Sequence, residues 1–380
     1  MSVDSAPCKA PPSPGQAAPL HRPLLPARPS RHDGGVRASR FQMCALLSAA
    51  LLGSGLGCGD ETVDAPAVVT KPEIEPDWAP MTVPTPAPLL GIWGRSATEI
   101  YAVGWDGTAL RYDGLTWTLE TTTATVPLVD VSGAPLDPED PLSPTRVLAV
   151  GWSGTLLERG ADGVWVDAPR TATTGRDLAA LHVVDAETAL TVGDAGTILE
   201  WDGAAWAPVT FEIESELSGA LVEPRTALAG VWSANGQRWM ISAAGGQTYR
   251  SAGGTSSFAA VDSRESLPFR GVWGTSNGSV YTVGLEGVVL RYTNRWRRES
   301  AGLPDQFLFG VWGRSESDLT VVGWGGTIAR RLDGEWMRED SGSEVDLRDV
   351  WVDAETGAAF AVGARGTILT RTSTAGLDPL

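Results

Sequence analysis

Seven times between Leu90 and the C-terminus the chain repeats nearly one phrase. The clearest copies read Gly91-Ile92-Trp93-Gly94 followed by Tyr101-Ala102-Val103-Gly104-Trp105-Asp106-Gly107-Thr108, and Gly310-Val311-Trp312-Gly313 followed by Thr320-Val321-Val322-Gly323-Trp324-Gly325-Gly326-Thr327. A phrase of this length is one supersecondary unit that cannot bury its apolar face alone, so its neighbours must stack on it. Its second turn glycine falls at Gly107, Gly154, Gly196, Gly246, Gly287, Gly326 and Gly366, at steps of 39 to 50 residues. That period suits a four-stranded propeller blade of roughly 40–45 residues.

The first strand of each copy carries Trp93, Ser132, His182, Trp232, Trp273, Trp312 or Trp351. A β-branched and aromatic second strand follows, such as Val280-Tyr281-Thr282-Val283. Next comes a tight Gly-x-x-Gly turn, where glycine takes φ > 0 without steric cost. The third strand is of the Thr-Ile-Leu type, as at Thr197 and Thr367, and often runs into Asp-Gly before a tryptophan: Asp113 before Trp117, Asp162 before Trp165, Asp202 before Trp206, Asp333 before Trp336. Asp-Gly between strand runs is a strong hairpin signal, and the fourth strand begins at that tryptophan. No long 3.6-residue apolar period interrupts the pattern. The expected fold is all-β: a seven-bladed β-propeller of four-stranded blades over residues 74–376, with a tail at 377–380.

The last copy stops after Thr367-Ile368-Leu369-Thr370-Arg371, with no tryptophan strand behind it. The missing piece lies at the other end, where Trp78-Ala79-Pro80-Met81-Thr82 matches Trp206-Ala207-Pro208-Val209-Thr210. An N-terminal strand near Trp78 is therefore expected to complete the seventh blade and close the ring, which leaves no open sheet edge. His182, standing where five other copies have tryptophan, is expected to pack between blades.

Residues 1–35 are rich in Pro, Ala and Arg and read as a disordered leader, or as sequence upstream of a true start at Val36 or Met43. Residues 36–58 combine Arg37 and Arg40, the apolar run from Met43 to Leu52, and small residues ahead of Cys58, the pattern of a signal peptide. The run is too short to span a bilayer as a helix. Residues 59–73 read as an extended tether. Six Lys/Arg and two Asp precede Cys58, so 23 basic and 44 acidic residues follow it, and no cysteine does. Such an acidic chain does not suit nucleic acid, whose phosphates need Lys and Arg, and the exported part is expected to hold together without disulfides.

After the leader one histidine, His182, remains. His/Cys metal clusters and Cys-His nucleophiles are thereby excluded, and neither a metal nor a cofactor is expected. Abundant carboxylates leave an acid pair for glycoside hydrolysis open, but no catalytic constellation stands out. The strongest candidates for ligand binding sit in the Gly-x-x-Gly turns. Reading the residue after the first turn glycine gives Trp105, Trp152, Asp194, Ala244, Leu285, Trp324 and Arg365. Trp105, Trp152, Trp324 and Arg365 are expected to form one aromatic, polar-rimmed cluster on a single face of the closed ring, a surface suited to a protein or glycan.

The Gly-Val-Trp-Gly and Val-Gly-x-x-Gly-Thr-Ile-Leu repeats resemble the WD40/YVTN/BNR-like propeller repeats of exported bacterial proteins, lipoproteins among them. They are distantly similar to photosystem II assembly factors of the Ycf48 type, although the arginine-rich patch of those factors has no evident counterpart here. Leu56-Gly57-Cys58 resembles a lipobox, with Gly55 and Leu56 departing from the usual residues. That resemblance implies diacylation of Cys58 and attachment to the cell envelope by a lipid anchor. The expected function is a non-catalytic scaffold that binds an envelope protein or glycan; the alternative is a carbohydrate-active protein, lectin-like or a carboxylate-dependent glycoside hydrolase.

Overall fold

The computed structural model describes residues 77–371, with breaks at 141, 173, 211–212, 215–220, 223–224, 235–236, 243–244, 252–257 and 300–305. The leader, signal segment, Cys58, tether, C-terminal tail and Ala244 lie outside the described residues.

Six antiparallel four-stranded sheets are each built from consecutive strands, and a seventh is assembled from both chain ends. Their innermost strands are Leu89–Ser96, Leu128–Pro135, Leu178–Val183, Leu228–Ala234, Phe269–Gly274, Leu308–Ser315 and Leu347–Val352. We number the blades one to seven in that order. Each innermost strand contacts the next, and Leu347–Val352 contacts Leu89–Ser96, so the ring is closed. Among the described residues there is no α-helix. In blade seven the outer strand is Ala79–Pro80, with Ala79 opposite Thr370 and Pro80 opposite Leu369. Met81 N–H extends the pairing to Ile368 O at 2.9 Å.

In blades one to three and five to seven the second strand is buried along nearly its whole length between neighbouring blades, which explains its mostly apolar run. In blade one, Ile100, Tyr101, Ala102 and Val103 of Glu99–Gly104 are all buried. Full burial of such side chains contributes about 1.5–3 kcal/mol for each large one.

At several interfaces, though not at Gly313, the closing glycine of the repeat phrase packs under a tryptophan of the previous blade. Trp351 of blade seven lies over Gly94 of blade one, where a Cβ would come within 2.9 Å of the indole. Trp93 of blade one meets Gly133 of blade two in the same way. Each of these glycines leaves space for the previous blade's tryptophan, and a large ring fills space that smaller residues would leave void.

Candidate functional site

The Gly-x-x-Gly phrases form short 3-10 turns joining second and third strands, and each is tied to the beginning of its own innermost strand. Trp105 N–H donates to Pro88 O (2.9 Å), Trp152 N–H to Pro127 O (3.1 Å), Trp324 N–H to Phe307 O (3.0 Å) and Ala364 N–H to Asp346 O (2.9 Å). The turns therefore stand on one face, around the mouth at which the innermost strands begin. Their geometry demands the last glycine. Gly107 has φ +68°, and a Cβ there would lie 2.1 Å from Ala124 O. The residue before it also has positive φ: 58° at Asp106, 56° at Ser153 and 61° at Arg365.

Those angles correct one expectation. Arg365 occupies the second turn position, equivalent to Asp106, and Ala364 holds the position of the tryptophans. Arg365 is exposed and lines a shallow groove with Pro84, Thr85 and Pro86 of the closing segment.

The three tryptophans are exposed, by 41% for Trp105, 42% for Trp152 and 46% for Trp324, so none folds back into the core. Trp105 and Trp152, in adjacent blades, meet edge to face with centroids 5.7 Å apart. Trp324 does not join them, because blade seven, with Ala364 at its turn, lies between. It packs instead on Phe307 (5.6 Å) and Phe309 (6.3 Å) of its own blade. The expected single cluster is thus two aromatic groups on one face, with Arg365 in neither.

A second feature of this face was not legible as a motif. Each innermost strand carries a β-bulge near its start, as between Leu89 and Gly91, Leu308 and Gly310, and Leu347 and Asp349. A bulge re-aims the extra side chain, and here the bulge residues line the mouth of a central cavity of about 330 Å³. Around most of the ring they are uncharged: Leu90, Val129, Ala179 and Ala229. On the remaining arc they are Arg270, Phe309 and Arg348. The repeat alignment held the signal, since arginine recurs at one register only in blades five and seven.

Phe307 and Phe309 stack in parallel, 4.8 Å apart with planes 7° off. Arg270 lies over Phe307 (5.7 Å) and Arg348 over Phe309 (4.3 Å), so a guanidinium stands at each end of the pair. Such cation–π contacts are worth about 0.5–2 kcal/mol. Packing against the cavity wall, and then the charge of Arg348, lower the Arg270 pKa.

Two carboxylates also line the cavity, where the repeat elsewhere has Gly or Ala. Asp130 accepts Val131 N–H (2.8 Å) and, from blade three, Leu181 N–H (2.7 Å). Asp349 accepts Val350 N–H (2.9 Å) and, from blade one, Ile92 N–H (3.0 Å). One oxygen of each is bound within its own strand and the other to the next blade, so both act as braces across blade interfaces. Burial raises Asp130 to about 7; burial and the nearby Asp130 charge raise Asp349 to about 8. His182 lines the same cavity, with its Nε2 2.9 Å from Ser233 O of the following blade. Donation to that carbonyl places the proton on Nε2, and burial holds the ring neutral, with its pKa lowered to about 4.

No family model and no curated protein matches the sequence. Solved structures match over the ring. YCF48 from Cyanidioschyzon merolae superposes with a TM-score of 0.61 at 15% identity, covering 78% of this chain and 98% of the other. A structure described as YCF48 bound to D1 peptide gives 0.61 at 14%, covering 78% and 97%. The WD40 β-propeller domain of Doa1 gives 0.58 at 13%, covering 77% and 94%. At these identities the likeness is one of fold: the chain is a β-propeller of the WD40 and YCF48 architecture.

Proposed function

We propose that this chain is a non-catalytic scaffold that binds a protein partner on the turn-bearing face of its propeller. The observation that carries the reading is the exposure of Trp105, Trp152 and Trp324 on one rigid face around the cavity mouth. Exposed tryptophans beside arginine are the residue types that dominate binding hot spots. The blades hold the turns in register before binding, so little ordering entropy is lost when a partner docks. The peptide complex of the similarly folded YCF48 is consistent with such use of the fold.

The carboxylates of the cavity do not favour the hydrolase alternative, because both oxygens of Asp130 and of Asp349 already accept backbone N–H groups. A glycan ligand remains the second reading, favoured by the adjacent indoles of Trp105 and Trp152. We further propose that the chain is exported and held at the cell envelope through a diacylated Cys58, on the strength of the signal-like segment 36–58.

The test is a crosslinked pull-down from native envelopes with wild type and the folded Trp105→Ala/Trp152→Ala/Trp324→Ala variant. Loss of one defined partner with the variant supports the reading. Undiminished capture moves the binding surface elsewhere and sinks it. Metabolic labelling with a fatty-acid probe, compared with Cys58→Ser, tests the anchor.

A further inference from the structure

We propose that the cavity mouth between blades five and seven binds an acidic side chain presented on an extended, partly apolar segment of a partner protein. Arg270 and Arg348 would hold the carboxylate, and Phe307, Phe309 and Trp324 the apolar flank. The proposal rests on the protein-binding reading above and names the partner chemistry for that face.

Four observations converge on it. First, the bulges aim Arg270 and Arg348 into the same mouth at one register of the ring, on either side of Phe309. Second, their charges are not internally balanced. Among the described residues Arg270 has no ion-pair partner, and Arg348 has only Asp346 at 3.4 Å, an exposed pair of small worth. Asp130 and Asp349, the carboxylates in the same cavity, are turned to backbone N–H groups and, among the described residues, form no ion pair with either arginine. Two like charges that share a concave wall repel each other, and an incoming anion relieves that repulsion.

Third, each guanidinium is packed over a ring of the stacked phenylalanine pair, which restricts its freedom before binding, and arginine binds a carboxylate in a bidentate fork. Fourth, the size and charge of the surroundings limit the ligand. A cavity of about 330 Å³ admits one or two side chains, not a folded element. The mature sequence is strongly acidic, so a polyacidic partner would be repelled, whereas one carboxylate set among apolar residues would not. The uncharged arc of Leu90, Val129, Ala179 and Ala229 faces the remainder of such a segment.

The experiment selects phage-displayed random dodecapeptides on the full chain, then measures amidated synthetic copies by calorimetry. Selected peptides should share an Asp or Glu next to an aromatic or aliphatic residue. Changing that Glu to Gln should weaken binding roughly tenfold or more, as loss of a charge-assisted pair does. Arg270→Gln/Arg348→Gln should cause the same loss, and the two changes together should cost no more than either alone. Arg270→Lys/Arg348→Lys, which keeps the charge but loses the fork, should fall between, and a single cooperative melt with native circular dichroism in both variants confirms an intact ring. The assignment is overturned if no peptide is selected, if the selected peptides lack an acid, or if they bind the Gln variant as tightly as wild type. Should that happen while the envelope partner is still lost with the triple tryptophan variant, the binding face stands and only the carboxylate assignment falls.

Discussion

Trp78 Nε1 donates to Glu339 Oε2 over 2.8 Å, although 261 positions of sequence separate the two residues. The same carboxylate takes Arg371 Nη1 at 2.6 Å, and the Arg371 guanidinium lies 5.2 Å over the Trp78 ring. The arrangement recurs at two other interfaces. Trp165 and Arg159 of blade two share Glu120 of blade one, and Trp336 and Arg331 of blade six share Glu299. The N-terminal strand thus closes the ring with the Trp/Arg/Glu contact that also links consecutive blades.

Trp78→Ala should therefore act as a ring-opening change. Trp78 is fully buried, and truncating such a ring costs about 3–5 kcal/mol. Trp78→Phe keeps much of the packing and loses one hydrogen bond, about 0.5–1.5 kcal/mol, because Arg371 still pairs Glu339. Urea melts of the three proteins should rank in that order. Equal midpoints for wild type and Trp78→Ala would show that the ring does not depend on this strand.

Gly94→Ala tests the packing of tryptophan on glycine between blades. The new methyl would press on Trp351, and overpacking of this kind costs about 1–3 kcal/mol. Combining it with Trp351→Phe should recover part of the loss, so that the double variant is more stable than additivity requires. Strict additivity in a double-mutant cycle would deny the contact.

The repeat made most of this architecture readable, because each blade must satisfy the same burial twice over and so repeats its chemistry. Closure was legible at Trp78 for the same reason: Trp-Ala-Pro recurs at Trp206. What the repeat concealed was side-chain direction. The turn phrase aligns by its glycines, and Ala364 is a poor landmark, so Arg365 is easily shifted into the wrong position. Adjacency was also overstated, since one intervening blade is enough to part Trp324 from Trp105. The bulges that aim Arg270 and Arg348 inward have no residue signature of their own. They arise from how the strand pairs, which composition does not encode.

Trp105 and Trp152 should prove nearly free of structural duty. Trp105→Ala and Trp152→Ala should each cost no more than about 1.5 kcal/mol, most of it the edge-to-face coupling of about 0.5–1.5 kcal/mol. A loss of several kcal/mol in either variant would assign the ring to the core and remove it from the binding surface.

The cavity carboxyls should give this acidic protein an alkaline weakness. Their pKa values in the folded ring, about 7 for Asp130 and about 8 for Asp349, exceed the ordinary 3.8. Between the ordinary and the raised values the folded state binds more protons than the unfolded chain, so stability falls as pH rises and is lost through pH 7 to 8. His182 works the other way: its pKa drops from 6.5 to about 4, which costs stability only as pH falls below 6.5. Two carboxyls oppose one imidazole, and above pH 6.5 the carboxyls act alone. The melting temperature should therefore decline from pH 6.5 to about 8, as both carboxyls ionise, and level off above. Asp349→Asn should flatten the decline, while lowering stability throughout by setting an amide NH2 against Ile92 N–H. His182→Gln, which retains a donor for Ser233 O, should leave the alkaline limb untouched. A melting temperature that stays level from pH 6.5 to about 8 in wild type would mean that the two aspartates remain ionised in their braces.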